Sequence, residues 1–164
     1  MNMPTWLIYG LLASLCWGTY AIIAKVVTSE KYLGIQSTAA SLLMLGGITL
    51  VFMIYFLTRQ EMLSVSLKLV GVLLIVAILG YLIYSLKQTG VQISLPTLGF
   101  GLLQGALWAG GMVFAFLAFS AGAEAAKLVP IYNTNTLIAV ILGLLLLQEV
   151  PAPDERIKVV IGAL

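Results

Sequence analysis

The sequence contains no histidine, a single cysteine (Cys16) and few charges. Only 9% of its 164 residues are Asp, Glu, Lys or Arg, whereas soluble domains carry about a quarter. The lack of histidine excludes His-based acid–base chemistry. A single cysteine excludes a disulfide framework and, without histidine, Cys/His zinc sites. We therefore expect no metal, no cofactor and no catalytic residues.

Basic residues are also too few and too scattered to bind nucleic acid. The formal net charge is +2, with eight Lys or Arg spread along the chain. A nucleic-acid surface needs basic residues clustered on one face. We therefore expect no nucleic-acid partner.

Apolar residues dominate what remains. They make up 62% of the chain, with a mean hydropathy of +1.12, and a helix of about 20 such residues crosses a bilayer. The predicted spans are 6–27, 38–57, 69–86, 98–119 and 128–147. The apolar run 157–164 reaches only about 12 Å, which predicts the start of a sixth span. Because the loops are short, neighbouring helices should be antiparallel. The predicted fold is an all-α polytopic membrane bundle with one transmembrane domain, 1–164.

The first span is expected to be an anchor helix rather than a signal peptide. No Lys or Arg precedes it, its apolar run is longer than a signal peptide's, and no small-residue cleavage site follows. Five Lys or Arg follow spans one, three and five, against three after spans two and four. This count favours an N-terminus outside by a small margin, and a protein that inserts both ways would show a similar balance.

Small residues line one face of the first span, at steps of three and four. They are Gly10, Ser14, Gly18 and Ala21, with Lys25 next in the series. Small residues let membrane helices approach closely, which predicts a packing surface. Lys25 either extends to the membrane interface or turns inward as a counter-ion.

The fourth span combines small residues with two larger polar or aromatic ones. Gly101, Gly105 and Ala109 stand in small-xxx-small register, which predicts close packing. Gly110 and Gly111 would soften the helix near mid-membrane, where a hinge or a kink could form. Beside them, Gln104 and Trp108 are candidates for the lining of a cavity, although Trp108 would equally suit packing against neighbouring helices.

The fifth span is the most polar, with Pro-Ile-Tyr-Asn-Thr-Asn-Thr at 130–136. Tyr132, Asn133, Asn135 and Thr136 fall on one helical face, whereas Thr134 points away and can bond to its own helix. Four hydrogen-bonding side chains do not belong against lipid, so they predict either interhelical hydrogen bonds or a polar cavity. Pro130 is expected in the first turn of this helix, where its missing N–H costs nothing.

Several short motifs, in their order and spacing, resemble one repeat of the EamA-type transporters of the drug/metabolite transporter superfamily. They cover residues 5–58 and 98–164. In chain order they are Trp17-Gly18 with Lys25, Gly122-Ala123, Leu128-Val129-Pro130, Gly143 through Leu147-Gln148-Glu149, and Val160-Ile161-Gly162. The family repeat has five helices, so the span 69–86 would be an additional helix.

The resemblance implies a carrier of small metabolites that works by alternating access, with two repeats of opposite orientation around a central site. Because the sequence holds one repeat, it implies a homodimer or a paired second repeat. Trp17, Gly18 and Lys25 would belong to the first helix of the repeat, and Pro130 and Glu149 to its fourth.

We therefore expect an integral protein of the prokaryotic cell membrane that acts as a half-transporter for a small organic solute. The expected substrate-binding residues are Trp17, Lys25, Gln104, Trp108, Tyr132, Asn133, Asn135 and Thr136. The alternative is a non-transporting assembly subunit that packs through its Gly/Ala helix faces. An enzyme is the weakest hypothesis, because every carboxylate lies at a span end and no two form an acid–base pair.

Overall fold

A computed structural model describes residues 3–58, 65–91 and 93–163. Within these residues the chain forms seven α-helices: α1 (Thr5–Thr28), α2 (Ser37–Thr58), α3 (Val65–Gln88), α4 (Leu95–Ser120), α5 (Ala125–Tyr132), α6 (Asn135–Leu146) and α7 (Arg156–Ala163). Among these described residues, five stretches are long and apolar enough to cross a membrane, and α5 and α6 together form the fifth, Ala125–Leu146. The prediction of an all-α membrane bundle is confirmed.

The helices extend beyond the predicted apolar runs, and several of the additional residues at their ends are polar. α2 begins at Ser37 and ends at Thr58, and α3 ends at Gln88. Such side chains suit the membrane interface, where water and headgroups can bond to them. The predicted partial span corresponds to α7, which begins at Arg156.

The chain divides into two compact units. Unit 1 comprises Met1–Ile22 and Gly110–Leu164, and unit 2 comprises Ile23–Ala109. α1 and α4 therefore each contribute residues to both units.

Unit 2 has an apolar core where the ends of α1 and α3 meet the start of α2. Its buried members are Val27, Ile35, Ala39, Ala40, Leu43 and Leu86. Ile35 lies in the turn between α1 and α2, where its backbone N–H donates to the Val27 carbonyl at 2.9 Å. This turn passes through Gly34, whose φ of 58° favours glycine.

In unit 2, α2 and α4 also touch backbone to backbone. A Cβ added at Gly47 would overlap the carbonyl oxygen of Leu102, and one added at Gly105 would overlap that of Met44. Such proximity is possible only without side chains at both points. The predicted close packing of the fourth span is confirmed, and its partner is α2.

Unit 1 places α1 in contact with both α4 and the fifth span. The rings of Tyr9 and Phe114 stack with centroids 6.3 Å apart, while Trp17 lies against Gly111, so α1 and α4 run antiparallel. Gly10 faces Leu128 and Gly18 faces Ile138, so α1 and the fifth span run parallel. These directions agree with helices that alternate across the membrane.

The fifth span differs from its prediction. It is not one helix, because α5 ends at Tyr132 and α6 starts at Asn135. Pro130 does not lie in the first turn, since α5 begins five residues earlier at Ala125 and Pro130 is inside it. The predicted span starts at residue 128 because the charged residues Glu124 and Lys127 precede the apolar run and do not resemble part of a membrane helix. Instead they form an exposed 2.9 Å ion pair at the start of the helix.

Candidate solute-binding site

The site in unit 1 is built around the interruption between α5 and α6. Proline has no N–H, so Pro130 cannot donate to the carbonyl one turn earlier in α5. Beyond it, the N–H groups of Thr134 and Thr136 donate to the carbonyls of Ile131 (3.2 Å) and Asn133 (3.3 Å). Both bonds join residues three apart, which is the tighter 3₁₀ pattern. The interruption lies near the middle of the 22-residue span.

A hydrogen bond attaches this interruption to α1. The hydroxyl of Thr134 donates to the Ile131 carbonyl at 2.7 Å, as the predicted bond to its own helix requires. Its oxygen also lies 2.8 Å from the Ser14 hydroxyl. Since the Thr134 proton is already used, Ser14 is the donor. Ser14 is fully buried, so this bond fixes the interruption against a defined point on α1.

Glycines on α1 allow that approach. A Cβ at Gly18 would lie 2.8 Å from the backbone carbonyl oxygen of Asn135 and 2.6 Å from Cβ of Ile138, while one at Gly10 would lie 2.8 Å from Cδ1 of Leu128. The packing surface predicted on the first span is therefore present from Gly10 to Gly18. Ala21, the next member of that series, is exposed.

Two predicted binding residues, Trp17 and Tyr132, are in contact where α5 ends. Their rings make an edge-to-face contact with centroids 5.2 Å apart and planes at 90°. The indole of Trp17 also faces Gly111, where an added Cβ would lie 2.5 Å from Nε1. α4 runs unbroken through Gly110 and Gly111, and the missing side chain of Gly111 gives the indole its space.

The three remaining predicted residues of the fifth span surround the interruption. Asn135 is half-buried, whereas Asn133 and Thr136 are exposed. The Thr136 hydroxyl lies 3.1 Å from Oδ1 of Asn135 and 3.3 Å from the Asn133 carbonyl oxygen. Connected segments of unit 1 thus provide two aromatic rings, an amide and a hydroxyl. We call the four residues that carry them the aromatic–amide cluster: Trp17, Tyr132, Asn135 and Thr136.

The other three predicted residues belong to unit 2. Gln104 is 3% exposed, and its Nε2 donates to the Ala40 carbonyl at 2.8 Å. Its amide therefore joins α4 to α2. Trp108 is half-buried, and Lys25 is exposed in the last turn of α1.

Sequence reasoning missed the pairing of Ser14 with Thr134. Ser14 was recognised only as a small residue, and Thr134 only as a side chain directed away from the polar face. A hydroxyl in each of two packed apolar helices is a signal for an interhelical bond. The sequence offers no way to choose which pair would meet.

The cluster is electrically neutral. No Asp or Glu occurs within the ranges of α1 to α6. In the part of the chain that the structure describes, no three His, Cys, Asp or Glu side chains are grouped to hold a metal ion. The arrangement can therefore bind by ring contacts and neutral hydrogen bonds.

In comparisons with known proteins, no family model, curated protein or solved structure matches the chain.

Proposed function

We propose that this protein is one half of a small-solute transporter of the EamA type, in the prokaryotic cell membrane, and that it works by alternating access with a second half. The observation that carries the proposal is the interrupted, polar fifth span. Its interruption lies at mid-span beside the aromatic–amide cluster and is held there by Ser14.

The physical argument concerns the cost of polar groups in hydrocarbon. Each backbone or side-chain group without a partner costs several kcal/mol there. Irregular backbone at membrane depth is tolerated where it is buried in protein or lines a watery cavity. Transporters commonly place such interrupted helices at a binding site near the midplane. The interruption after Pro130 and the half-buried amide of Asn135 therefore suit a binding site better than a helix that only packs against lipid and apolar neighbours.

The chemistry of the cluster favours a solute without net charge. An ion at mid-span is costly unless an opposite charge compensates it, and helices α1 to α6 contain no carboxylate. The Trp17 and Tyr132 rings suit a flat or apolar part of a solute, and the Asn135 amide suits its polar groups. If protons are coupled to transport, Glu124 or Glu149 near the span ends would carry them.

The alternative of a non-transporting assembly subunit has less support. It depended on Gly/Ala faces being available to another protein. On the first and fourth spans, the faces with which the sequence argument began, the chain's own helices already occupy Gly10 and Gly18 in unit 1 and Gly101 and Gly105 in unit 2.

Uptake into liposomes tests the proposal. The full chain would be reconstituted and offered a labelled neutral amino acid, a hexose and an amphipathic cation. We expect uptake of at least one uncharged probe and about 2- to 13-fold slower uptake by Asn135→Ala, since one hydrogen bond contributes about 0.5–1.5 kcal/mol. Thr49→Val is the matched control, because the Thr49 hydroxyl donates to the Leu45 carbonyl of its own helix. If the unsubstituted protein moves none of the probes, or Asn135→Ala moves them equally fast, the proposed function is wrong.

A further inference from the structure

Three apolar side chains of unit 1 form a layer on one side of the aromatic–amide cluster. The rings of Tyr9 on α1 and Phe114 on α4 stack with centroids 6.3 Å apart and planes 19° apart. One residue further along α1, Gly10 faces Leu128 of α5, whose side chain is fully buried. We call this set the apolar layer: Tyr9, Phe114 and Leu128.

The apolar layer lies between the cluster and the end of unit 1 where α1 begins. An α-helix rises about 1.5 Å per residue, so Tyr9 lies about 12 Å before Trp17 and Leu128 lies about 6 Å before Tyr132. On α4, Phe114 comes three residues after the glycine that faces the Trp17 indole. Because α4 is antiparallel to both α1 and the fifth span, all three displacements point to the same end. A solute arriving from that end would meet the apolar layer first.

The contacts of α1 with α4 and with the fifth span differ in kind. The fifth span approaches α1 through the buried Ser14–Thr134 hydrogen bond and through Gly18, which meets the Asn135 backbone. In the apolar layer, by contrast, α1 meets α4 through two half-buried aromatic rings. A pair of rings shifts an equilibrium by only about 2- to 13-fold. The rings can therefore separate while α1 and the fifth span stay together.

We propose that the apolar layer is a gate, which the structure shows closed. Separation of Tyr9 from Phe114 admits water and solute to the aromatic–amide cluster from the end where α1 begins. When the rings are stacked, the layer offers water few hydrogen-bonding groups, and apolar constrictions of this kind close a path by excluding water. The inference rests on the proposed function, because a transporter must open its site to each side in turn. It deepens that function by naming the side chains that close one side.

The rate at which water-soluble reagents reach the cluster tests the gate. In a Cys16→Ala background of the full chain, Asn135→Cys would place a single thiol in the cluster. Sealed membrane vesicles of both orientations would be treated with a membrane-impermeant thiol reagent. A separate Met3→Cys chain identifies the vesicles that present the start of α1 to the reagent, because Met3 is 56% exposed two residues before that helix. Rates would be normalised to this marker.

Phe114→Leu removes a ring but keeps an apolar side chain, so the variant should fold. We expect it to label about 2- to 13-fold faster than the parent from the end where α1 begins, and at the parent's rate from the opposite end. Phe116→Leu is the matched control, because Phe116 is 56% exposed two residues away on α4. It should change the rate less than twofold, and so should Tyr9→Phe, which keeps the ring.

A double substitution distinguishes loss of the ring pair from general loosening of unit 1. Tyr9→Leu alone should accelerate labelling as Phe114→Leu does. The two together should label no faster than either alone, because one substitution already removes the stack.

The inference is wrong if Phe114→Leu labels no faster than Phe116→Leu, if it labels faster from both ends alike, or if the effects of the two leucine substitutions multiply. Labelling needs no solute, so the proposed function is read separately. Gate variants that behave as expected in a chain that moves no solute refute only the proposed function. Solute uptake with labelling that does not depend on Tyr9 or Phe114 refutes only the gate.

Discussion

Substituting Gly111 by alanine tests whether the space beside Trp17 is needed. The added Cβ would lie 2.5 Å from Nε1 of the indole, and ordinary contact begins at 3.4 Å, so the indole must move by about 0.9 Å. Gly110 is the matched control, because a Cβ there would meet only the Cys16 sulfur, at an ordinary 3.8 Å. Both substitutions are in α4, one residue apart.

Because Gly110 and Gly111 are adjacent in one helix, the difference in stability between the two alanine variants is simple to estimate. Alanine gains up to about 1 kcal/mol of helix propensity over glycine, and this gain is common to both variants and cancels in their difference. Overpacking then costs Gly111→Ala about 1–3 kcal/mol, and the edge contact of Trp17 with Tyr132 adds about 0.5–1.5 kcal/mol if it is lost. We expect Gly111→Ala to unfold at least about fivefold more readily than Gly110→Ala, and to transport solute more slowly.

Unfolding by increasing mole fraction of SDS in mixed micelles measures the difference in stability. With Trp6 and Trp108 replaced by phenylalanine, the fluorescence of Trp17 reports its own surroundings, and only Gly111→Ala should shift the emission of the folded protein. Equal stability of the two alanine variants, together with an unchanged emission spectrum, would refute the packing of the indole against α4.

Two further substitutions test other contacts by the same unfolding assay. Gly105→Ala should destabilise the protein by about 1–3 kcal/mol because its Cβ would meet the α2 backbone, whereas Gly99→Ala, with open space around it, should be neutral or mildly stabilising; identical results would contradict the backbone contact. Ser14→Ala should lose about 0.5–1.5 kcal/mol with the hydrogen bond to Thr134, and a loss no larger than that of Thr49→Ala, which removes a bond within one helix, would show that the bond contributes nothing.

The positions of the helices could be predicted because each span must satisfy its own backbone in lipid. Runs of about 20 apolar residues are therefore sufficient to locate them. The helix ends were less predictable, since Ser37, Thr58 and Gln88 continue a helix into the interface without any apolar signal. Pro130 is predicted in a first turn for a similar reason, because the apolar run starts only after the charged residues Glu124 and Lys127.

The site was predictable as a list of polar residue types but not as a set of contacts. The sequence alone identifies the polar residues of this otherwise apolar span, among them Asn133, Asn135 and Thr136. Periodicity placed them on one face of a continuous helix, whereas the interruption after Tyr132 leaves Asn135 half-buried and Asn133 exposed. A local change in backbone hydrogen bonding alters which way each later side chain points, and hydropathy does not register it.

The sequence alone determined that this is an all-α membrane protein, with no carboxylate inside its spans and its polar residues concentrated in the fifth. These properties depend on composition and on the length of apolar runs, which lipid selects directly. Only the tertiary structure decided that Ser14 donates to Thr134, that Gly111 makes room for Trp17 and that Gln104 joins α4 to α2. Many glycines, hydroxyls and amides in the spans could have met, and the choice among them depends on how whole helix faces fit together.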